Sequence, residues 1–256
     1  NFNSMCTVTF LPLANNNFIL TSNRDEQKER ETLHPKRYKE DGIDLVFPKD
    51  KTAGGTWIGT SSKNRLVCVL NGAFIKHERK KSYQKSRGVL AKEILKEIDF
   101  QQYILNLDLT NIEPFTLLIV DWNEGLNLFE LIWDETQKHF SKLKNEPRIW
   151  SSSTLYSGEM KSVRQQWFKK WLTENEFSSE SILKFHHSEI GDKTQSVLMK
   201  RSYVETVSIT SVKKENSTVE MNYEDVINAK KTVIICQLET NEIAATITKL
   251  KKAKNK

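Results

Sequence analysis

The sequence predicts an α+β fold, a four-layer αββα sandwich in which two antiparallel sheets are covered by helices on their outer faces. Two observations support this prediction. Strand patterns occur in pairs and in one meander, and the helical patterns are grouped between them. In addition, no repeat and no low-complexity linker interrupts the 256 residues, which favours a single domain.

The predicted strands are short runs rich in β-branched and aromatic residues. In chain order they cover residues 6–11, 18–22, 54–59, 65–71, 115–122, 126–133, 139–143, 148–152, 204–212, 218–223 and 232–238. The turn Asn15-Asn16-Asn17 makes the first two a hairpin. Polar residues 27–44 indicate an excursion over the surface. A two-domain chain would need a linker near residues 100–114, where Pro114 is the only punctuation.

Three helices are predicted from apolar residues at helical spacing. The first covers residues 89–98 and follows Ser86, a possible N-terminal cap. The second is an apolar stripe within residues 163–172, and the third is a shorter piece at residues 181–186. All three lie between blocks of strands, as helices on the outer faces of two sheets would.

The formal charge of +6 does not indicate a nucleic-acid partner, because it is concentrated at one end. Five lysines fall within residues 249–256, which we interpret as a solvated basic tail, and the rest of the chain carries only +1. Residues 1–5 form an N-terminal extension or leader without the features of a secretory signal. Residues 6–248 form the predicted domain.

The cysteine count and the apolar runs indicate a cytoplasmic protein with no integral membrane segment. Cys6, Cys68 and Cys236 form no CxxC pair, and an odd, low count is typical of a reducing compartment. The longest apolar runs are far shorter than the roughly 20 residues of a membrane span. We expect neither a metal nor a cofactor, and His186-His187 is interpreted as structural because adjacent helical residues do not face one another.

Cys6 is the first candidate for chemistry because it follows Met5 at the start of the first strand. Removal of the chain through Met5 would leave a free α-amine on a cysteine. One residue would then supply both a nucleophile and a base, since an α-amine with a pKa of about 8 can accept the thiol proton. The alternative is that Cys6 is a small core residue.

Asn23-Arg24-Asp25-Glu26 is the second candidate, because the hairpin places the end of the second strand beside Cys6. Arg24 could hold the thiol as thiolate. Asp25 could accept a hydrogen bond from the α-ammonium or orient Arg24. The alternative is an ordinary polar loop at a strand end.

Four motifs together resemble a known family. They are Met5-Cys6-Thr7-Val8, Ser22 to Glu26, Gly54-Gly55-Thr56-Trp57-Ile58-Gly59 and Leu70-Asn71, in that order. This pattern resembles the family named for its Asn-Arg-Asp-Glu motif, which includes the transport and Golgi organisation protein 2 homologues. That family is similar to the cysteine N-terminal-nucleophile hydrolases, such as penicillin V acylase and bile-salt hydrolase.

The resemblance implies roles for individual residues. Cys6 would be the nucleophile, and Arg24 and Asp25 its electrostatic partners. Asn71 would supply a backbone oxyanion donor, and Gly72 would let a substrate approach the main chain. The remaining implied residues are Arg201, which would hold an anionic or carbonyl group, Trp57 in the pocket wall, and Asn23 and Glu26 beside the substrate.

The chain departs from the family pattern at two places. Ser152 or Ser153 stands where the hydrolases use an asparagine side chain as an oxyanion donor, and loss of such a donor costs about 2.7–4 kcal/mol of transition-state stabilisation. Residues 1–5 also precede Cys6, either as an extension or as a propeptide removed by the cysteine itself. Met5 resembles a native start, which favours an extension.

The resemblance implies a cysteine-dependent amidohydrolase or acyltransferase acting on a small non-peptide amide or thioester. The serines at 152 and 153 favour the alternative, a non-catalytic protein that binds a hydrophobic ligand, haem or an acyl lipid, in the same pocket. An inactive scaffold is the third hypothesis. The sequence does not indicate the oligomeric state.

Overall fold

The computed structural model describes residues 5–153 and 157–238, with Met5 described by its backbone alone. The predicted leader, apart from Met5, and the basic tail at residues 249–256 lie outside the described residues, as does the domain limit at residue 248. No helix within the described ranges is long and apolar enough to cross a membrane.

Six strands form the first sheet, and each is antiparallel to its neighbours. In order across the sheet they are β10 (Arg148–Ser151), β1 (Met5–Leu13), β2 (Asn17–Glu26), β11 (Glu205–Glu215), β12 (Thr218–Asp225) and β13 (Lys230–Gln237). The predicted opening hairpin is confirmed, and it lies near the centre of this sheet. The central position explains why every residue of β2 after Asn17 is buried.

Seven strands form the second sheet, again all antiparallel. In spatial order, which here is also chain order, they are β3 (Thr32–Glu40), β4 (Ile43–Asp50), β5 (Ile58–Ser61), β6 (Arg65–Asn71), β7 (Phe115–Asp121), β8 (Asn127–Trp133) and β9 (Lys138–Leu143). The expected strand at residues 54–59 begins only at Ile58, because the preceding residues leave the sheet and contact a helix.

The prediction of a surface excursion at residues 27–44 is wrong, since most of this stretch belongs to the hairpin β3–β4. Asp41-Gly42 is its turn, with φ angles of 53° and 78°. Positive φ at both central residues is the geometry that matches the twist of a two-residue hairpin. The stretch appears polar because β3 is an edge strand whose side chains are mostly exposed or half-buried.

Helices cover the outer faces of both sheets, which confirms the predicted αββα sandwich. On the second sheet lie α1 (Arg87–Lys96) and α2 (Phe100–Asn106), and on the first lie α3 (Gly158–Glu174) and α4 (Ser179–His186). The predicted cap is present, because the Ser86 side chain accepts a hydrogen bond from Val89 N–H. Helix α2 was not predicted. It occupies part of the stretch considered for a linker.

The core has three apolar layers, which follow from the alternation of side chains along each strand. Val8 and Phe10 of β1 belong to the layer between the sheets. Leu11 belongs to the layer under α3 and α4. Val67 belongs to the layer under α1 and α2. Each such side chain contributes about 1.5–3 kcal/mol through its burial. In β1, even-numbered residues therefore face the second sheet and odd-numbered residues face the helices.

Asn23 connects the first sheet to the helix layer. Its amide nitrogen donates to the carbonyls of His186 at 3.0 Å and Val197 at 2.9 Å, so its oxygen accepts from His186 Nδ1 at 2.7 Å. The other ring nitrogen then accepts from the Thr9 hydroxyl at 2.8 Å, as neutral imidazole allows. Burial, with the nearby charges of His187 and Arg164, lowers the pKa of His186 to about 3.

This arrangement predicts how acid destabilises the fold. An unfolded histidine with a pKa near 6.5 binds a proton as the pH falls, whereas buried His186 does not until about pH 3. Stability is therefore lost as the pH falls below about 6.5. Between about pH 7 and pH 5, the free energy of unfolding measured in urea should fall by about 2 kcal/mol more for the native chain than for His186→Gln. Replacement of exposed His139 should not remove this loss, and an equal loss in His186→Gln would contradict the assignment.

Two glycines allow α1 to begin against the loop before β5. A Cβ at Gly55 would lie 2.5 Å from the Gly88 carbonyl carbon, and a Cβ at Gly88 would lie 2.7 Å from the Thr56 oxygen. Thr56 N–H also donates to the Gly88 carbonyl at 3.2 Å. The loop and the first turn of α1 therefore touch through their backbones, where no side chain fits.

We expect Gly88→Ala and Gly55→Ala each to lower the free energy of unfolding by about 1–3 kcal/mol, because the new methyl group overlaps backbone that cannot move aside. Gly158→Ala is the matched control, since nothing lies within 4 Å of its Cβ position at the start of α3. It should be neutral or stabilising. Urea unfolding measures all three variants. Equal effects at Gly88 and Gly158 would show that the close approach is not a constraint.

Candidate active site

Cys6 and Arg24 lie directly opposite each other in the β1–β2 pair, and Met5 lies opposite Asp25. Opposed residues in an antiparallel pair have side chains on the same face of the sheet. Cys6 belongs to the layer between the sheets, so Arg24 also projects toward the second sheet. The hairpin therefore brings together the two residues that the sequence predicted to be neighbours.

A cavity of about 310 Å³ opens at this end of the two sheets. Five of the sequence-predicted site residues line it: Cys6, Arg24, Glu26, Trp57 and Asn71. Cys6 lies at its floor with 3% of its surface exposed. The cavity thus joins the start of β1 and the end of β2 to the loop before β5 and the end of β6.

Carboxylates hold Arg24 in place. Its Nη2 donates to Asp50 Oδ2 at 2.8 Å and lies 3.6 Å from Glu26 Oε2. Its guanidinium stacks on the Trp57 ring, 4.4 Å from the ring centre. Asp50 was not predicted as a site residue. The prediction that Asp25 orients Arg24 is wrong, because Asp50 and Glu26 do so.

Asp50 is itself fixed by main-chain donors. Thr52 N–H and Ala53 N–H donate to its Oδ1 at 3.0 and 2.8 Å, and Arg30 Nε donates to its Oδ2 at 2.8 Å. Burial alone would raise the pKa of Asp50, but the hydrogen bond from Ala53 and the charges of Arg30 and Arg24 outweigh it. The pKa is therefore lowered, and the carboxylate remains charged beneath the two guanidinium groups.

The thiol of Cys6 is not held as a thiolate in the chain as it stands. Burial raises its pKa well above the ordinary value, and the negative charges of Asp25 and Cys68 raise it further. Arg24 opposes this shift without reversing it. The expectation that Arg24 could hold the thiol as thiolate is therefore wrong, because burial outweighs its charge, which Asp50 and Glu26 also partly balance.

Asp25 faces the other side of the sheet, toward the helices, as Asn23 does. It accepts a hydrogen bond from Thr206 Oγ1 at 2.6 Å, and this hydroxyl in turn accepts from Met199 N–H at 3.0 Å. Its charge nevertheless acts on Cys6, because it is a larger cause of the raised thiol pKa than Cys68. Asn23 is also outside the cavity lining, so the structure does not support its predicted role beside the substrate.

The main chain near Asn71 has one N–H on each side of β6. Gly72 N–H donates to the Pro114 carbonyl at 3.0 Å, on the β7 side, whereas Val69 N–H donates to the Trp57 carbonyl at 2.7 Å. By the alternation of a strand, Asn71 N–H points as Val69 N–H does, toward the loop that lines the cavity. Gly72 lies outside the cavity lining, so the structure does not support its predicted contact with substrate.

Ser152 and Ser153 also fail to take the place of the hydrolase asparagine. Ser152 Oγ donates to the Asn71 carbonyl, and Ser153 Oγ donates to the Ala73 carbonyl. Each hydroxyl has a single proton, which these bonds use. Ser152 N–H donates to the Cys6 carbonyl at 3.0 Å. Both serines therefore fasten the two sheets together beside the cavity and do not line it.

Arg201 does not line the cavity either. Its Nε donates to the Thr194 carbonyl at 2.9 Å, in the loop that follows α4, so the structure does not support its predicted contact with substrate. The arginines that line the cavity beside Arg24 are Arg30, Arg79 and Arg87. The signal that sequence reasoning missed is the basic run from Arg79 to Arg87, which ends where α1 begins.

Glu113 anchors two of these arginines. Its carboxylate lies 3.1 Å from Arg87 Nη2 and 3.5 Å from Arg79 Nε. Arg87 also donates to the Pro114 carbonyl at 3.2 Å. Burial lowers the pKa of Arg87, but an arginine keeps its charge at neutral pH. No pattern in the sequence links Glu113 to residues so far back in the chain.

A larger cleft of about 1300 Å³ lies elsewhere on the molecule, along residues such as Arg37, Lys63 and Leu238. It contains none of the sequence-predicted site residues. The smaller cavity at Cys6 is therefore the one in which the predicted chemistry converges.

Solved structures of N-terminal-nucleophile hydrolases share this fold. A variant of conjugated bile acid hydrolase from Clostridium perfringens is 11% identical, with a TM-score of 0.56 over 90% of this chain and 92% of that chain. Penicillin V acylase from Agrobacterium tumefaciens is 9% identical, with a TM-score of 0.52 over 91% and 86%. The Caenorhabditis elegans ortholog of N-acylethanolamine-hydrolyzing acid amidase is 12% identical, with a TM-score of 0.52 over 80% and 92%.

Sequence comparison gives the family more directly. No curated protein sequence matches the chain. The model of the family described as Transport and Golgi organisation 2 matches residues 5–246, which is nearly the whole chain. This match agrees with the sequence motifs and with the hairpin that carries Cys6 and Arg24. The chain belongs to the Transport and Golgi organisation 2 family.

Proposed function

We propose that the protein is a cysteine-dependent amidohydrolase or acyltransferase for a small amide or thioester, with Cys6 as its nucleophile. The observation that carries this proposal is the position of Cys6 at the floor of a cavity, opposite Arg24. The similar solved structures, a conjugated bile acid hydrolase, a penicillin V acylase and an N-acylethanolamine-hydrolyzing acid amidase, support it because they are named as hydrolases, acylases or amidases.

The reaction requires the α-amine of Cys6. Burial and Asp25 raise the pKa of the thiol, so a base must remove its proton as the sulfur attacks. After removal of the chain through Met5, the new amine takes the proton and the Sγ–carbon bond forms. The ammonium then gives the proton to the leaving group as the old acyl bond breaks. Water or another acceptor releases the acyl group from sulfur.

The surrounding residues support these steps. Asn71 N–H, on the cavity side of β6, is the main-chain donor for the oxyanion. The charge of Asp25, which acts on Cys6, stabilises the ammonium. Arg24 and Trp57 form one wall against which the substrate packs. Since the hydroxyls of Ser152 and Ser153 donate elsewhere, a reactive thioester suits this site better than an amide.

The second candidate is a protein that binds a hydrophobic ligand, such as haem or an acyl lipid, without turning it over. The bonded hydroxyls of Ser152 and Ser153 favour it, because they leave no side-chain oxyanion donor at these positions. The size and lining of the cavity argue against a large hydrophobic ligand. At about 310 Å³ the cavity is at the small end of ligand pockets, and charged residues surround it.

The test compares protein that begins at Cys6 with protein that retains residues 1–5. After incubation with a panel of acyl thioesters and acyl amides, intact mass should show an acyl adduct on the Cys6-terminal form. The extended form should react about a hundredfold more slowly, because its nitrogen is a peptide amide and cannot act as a base.

Two variants locate the reactive thiol. Cys6→Ala should abolish the adduct. Cys68→Ala should retain it, because Cys68 is buried between the sheets and burial raises its pKa to about 12. No adduct and no turnover on any acyl donor would refute the enzyme. Tight ligand binding that survives Cys6→Ala, without catalysis, would establish the second candidate.

A further inference from the structure

Positively charged side chains outnumber negatively charged ones around the cavity. Seven cationic and three anionic side chains line it. The imbalance is not spread evenly between the two groups of residues that form the walls of the cavity. The first wall comes from β2, its following loop and β4, and the second comes from residues 79–87 together with Glu113.

The first wall is balanced. Arg24 and Arg30 are its cations, and each lies within 3.6 Å of both Asp50 and Glu26. Two guanidinium groups and two carboxylates thus form one network. Such a network has no net charge with which to attract a charged substrate.

The second wall carries an excess of positive charge. Two of its cations have carboxylate partners outside the cavity: Lys80 lies 2.6 Å from Glu135, and Lys85 lies 2.7 Å from Glu93. Arg79 and Arg87, however, share the single carboxylate of Glu113. Lys81 forms no ion pair with any residue in the described parts of the chain. Two positive charges therefore remain uncompensated on this wall.

Main-chain N–H groups and the indole N–H of Trp57 add hydrogen-bond donors to the cavity. Helix α1 begins at Arg87, and the N–H groups of its first turn carry the positive end of the helix dipole. Ser86 accepts from the N–H of Val89 through its side chain and from the N–H of Leu90 through its carbonyl. Trp57 also lines the cavity. It is 8% exposed, and its Nε1 has no hydrogen-bond partner among the described residues. A buried N–H without a partner is rare in proteins, and this one lies where an acceptor atom of a ligand in the cavity could bind it.

Arg87 is close enough to Cys6 for the two groups to interact electrostatically. Both residues line the same cavity of about 310 Å³, so an anion held at the start of α1 shares this cavity with the sulfur. The charge of that anion would compensate the second wall, and its oxygens would accept the hydrogen bonds that Arg87 offers.

We propose that this cavity selects substrates bearing an oxyanion, a carboxylate or a phosphate, which binds between Arg87 and Lys81 while the reacting carbonyl faces Cys6. Only the orientation of the carbonyl toward Cys6 rests on the proposed function. The oxyanion subsite itself depends on the geometry of residues 79–87, Glu113 and Trp57. Lys81 and Arg87 are its specificity-determining residues.

A pair of alkylating reagents tests the subsite without any assumption about turnover. Iodoacetate and iodoacetamide both form a bond from Cys6 sulfur to carbon as iodide leaves and the thiol proton passes to buffer. They are similar in size, and one carries a negative charge that the other lacks. Mass spectrometry of the Cys6 peptide from the full chain gives each rate, and N-acetylcysteine gives the rate ratio expected of a thiol in water.

We expect the iodoacetate to iodoacetamide ratio at Cys6 to exceed that of N-acetylcysteine by about tenfold, because a cationic cleft concentrates anions. Arg87→Gln and Lys81→Gln should each reduce the ratio, and Arg87→Lys should retain most of it. Lys170→Gln is the matched control, since Lys170 is an exposed cation on α3 that pairs with Glu174. It should leave the ratio unchanged.

Competition then identifies the oxyanion. Succinate and inorganic phosphate are compared with sodium chloride at equal ionic strength for protection of Cys6 from iodoacetamide. Protection by succinate alone indicates a carboxylate, and protection by phosphate alone indicates a phosphate. Equal protection by all three salts shows general screening and contradicts a specific subsite.

Two results would overturn the proposal: a ratio at Cys6 equal to that of N-acetylcysteine, or a ratio that Lys81→Gln and Arg87→Gln both leave unchanged. Failure of both reagents to reach Cys6 in the folded chain would also overturn it, because the anion must enter the same cavity. An acyl adduct formed equally from neutral and anionic thioesters would refute the subsite and retain the enzyme. A clear iodoacetate preference without any acyl adduct would retain the subsite and refute the enzyme.

Discussion

The register between β1 and β2 determines which residues can meet at the cavity. With Cys6 opposite Arg24, even-numbered residues of both strands face the second sheet, and odd-numbered residues face the helices. The Asn-Arg-Asp-Glu motif is therefore divided between two environments. Arg24 and Glu26 enter the cavity, whereas Asn23 and Asp25 hold the helix side of the sheet. A slip of one residue would exchange these roles and bury the wrong pair.

Burial of the motif explains the network around it. A guanidinium removed from water needs a carboxylate nearby, and Arg24 has Asp50, whose charge is maintained by two main-chain N–H groups. Because these carboxylates balance the charge of Arg24, Arg24 stabilises a thiolate less, and burial dominates the pKa of Cys6. The proposed reaction at this sulfur consequently needs a base on the same residue, and an α-amine on Cys6 is such a base.

The sequence predicted the local part of this site and missed the remote part. A turn at Asn15 to Asn17 between two strand patterns was enough to bring Cys6 to Arg24, because hairpin pairing is local. Asp50 and Glu113 could not be predicted, since their contacts with Arg24 and Arg87 join residues 26 apart in the chain. The β3–β4 hairpin was missed for another reason. An exposed edge strand lacks apolar alternation, although Asp41-Gly42 is a hairpin signal.

The peptide between Asn71 and Gly72 shows how the departure at Ser152 is accommodated. Ser152 Oγ donates to its carbonyl from the first sheet, while its N–H donates to the Pro114 carbonyl beside β7. A peptide held at both ends cannot turn either group toward the cavity. The preceding peptide, which carries Asn71 N–H, is therefore the part of β6 that faces the cavity. In the proposed reaction, Ser152 thus fixes the frame in which this main-chain donor acts.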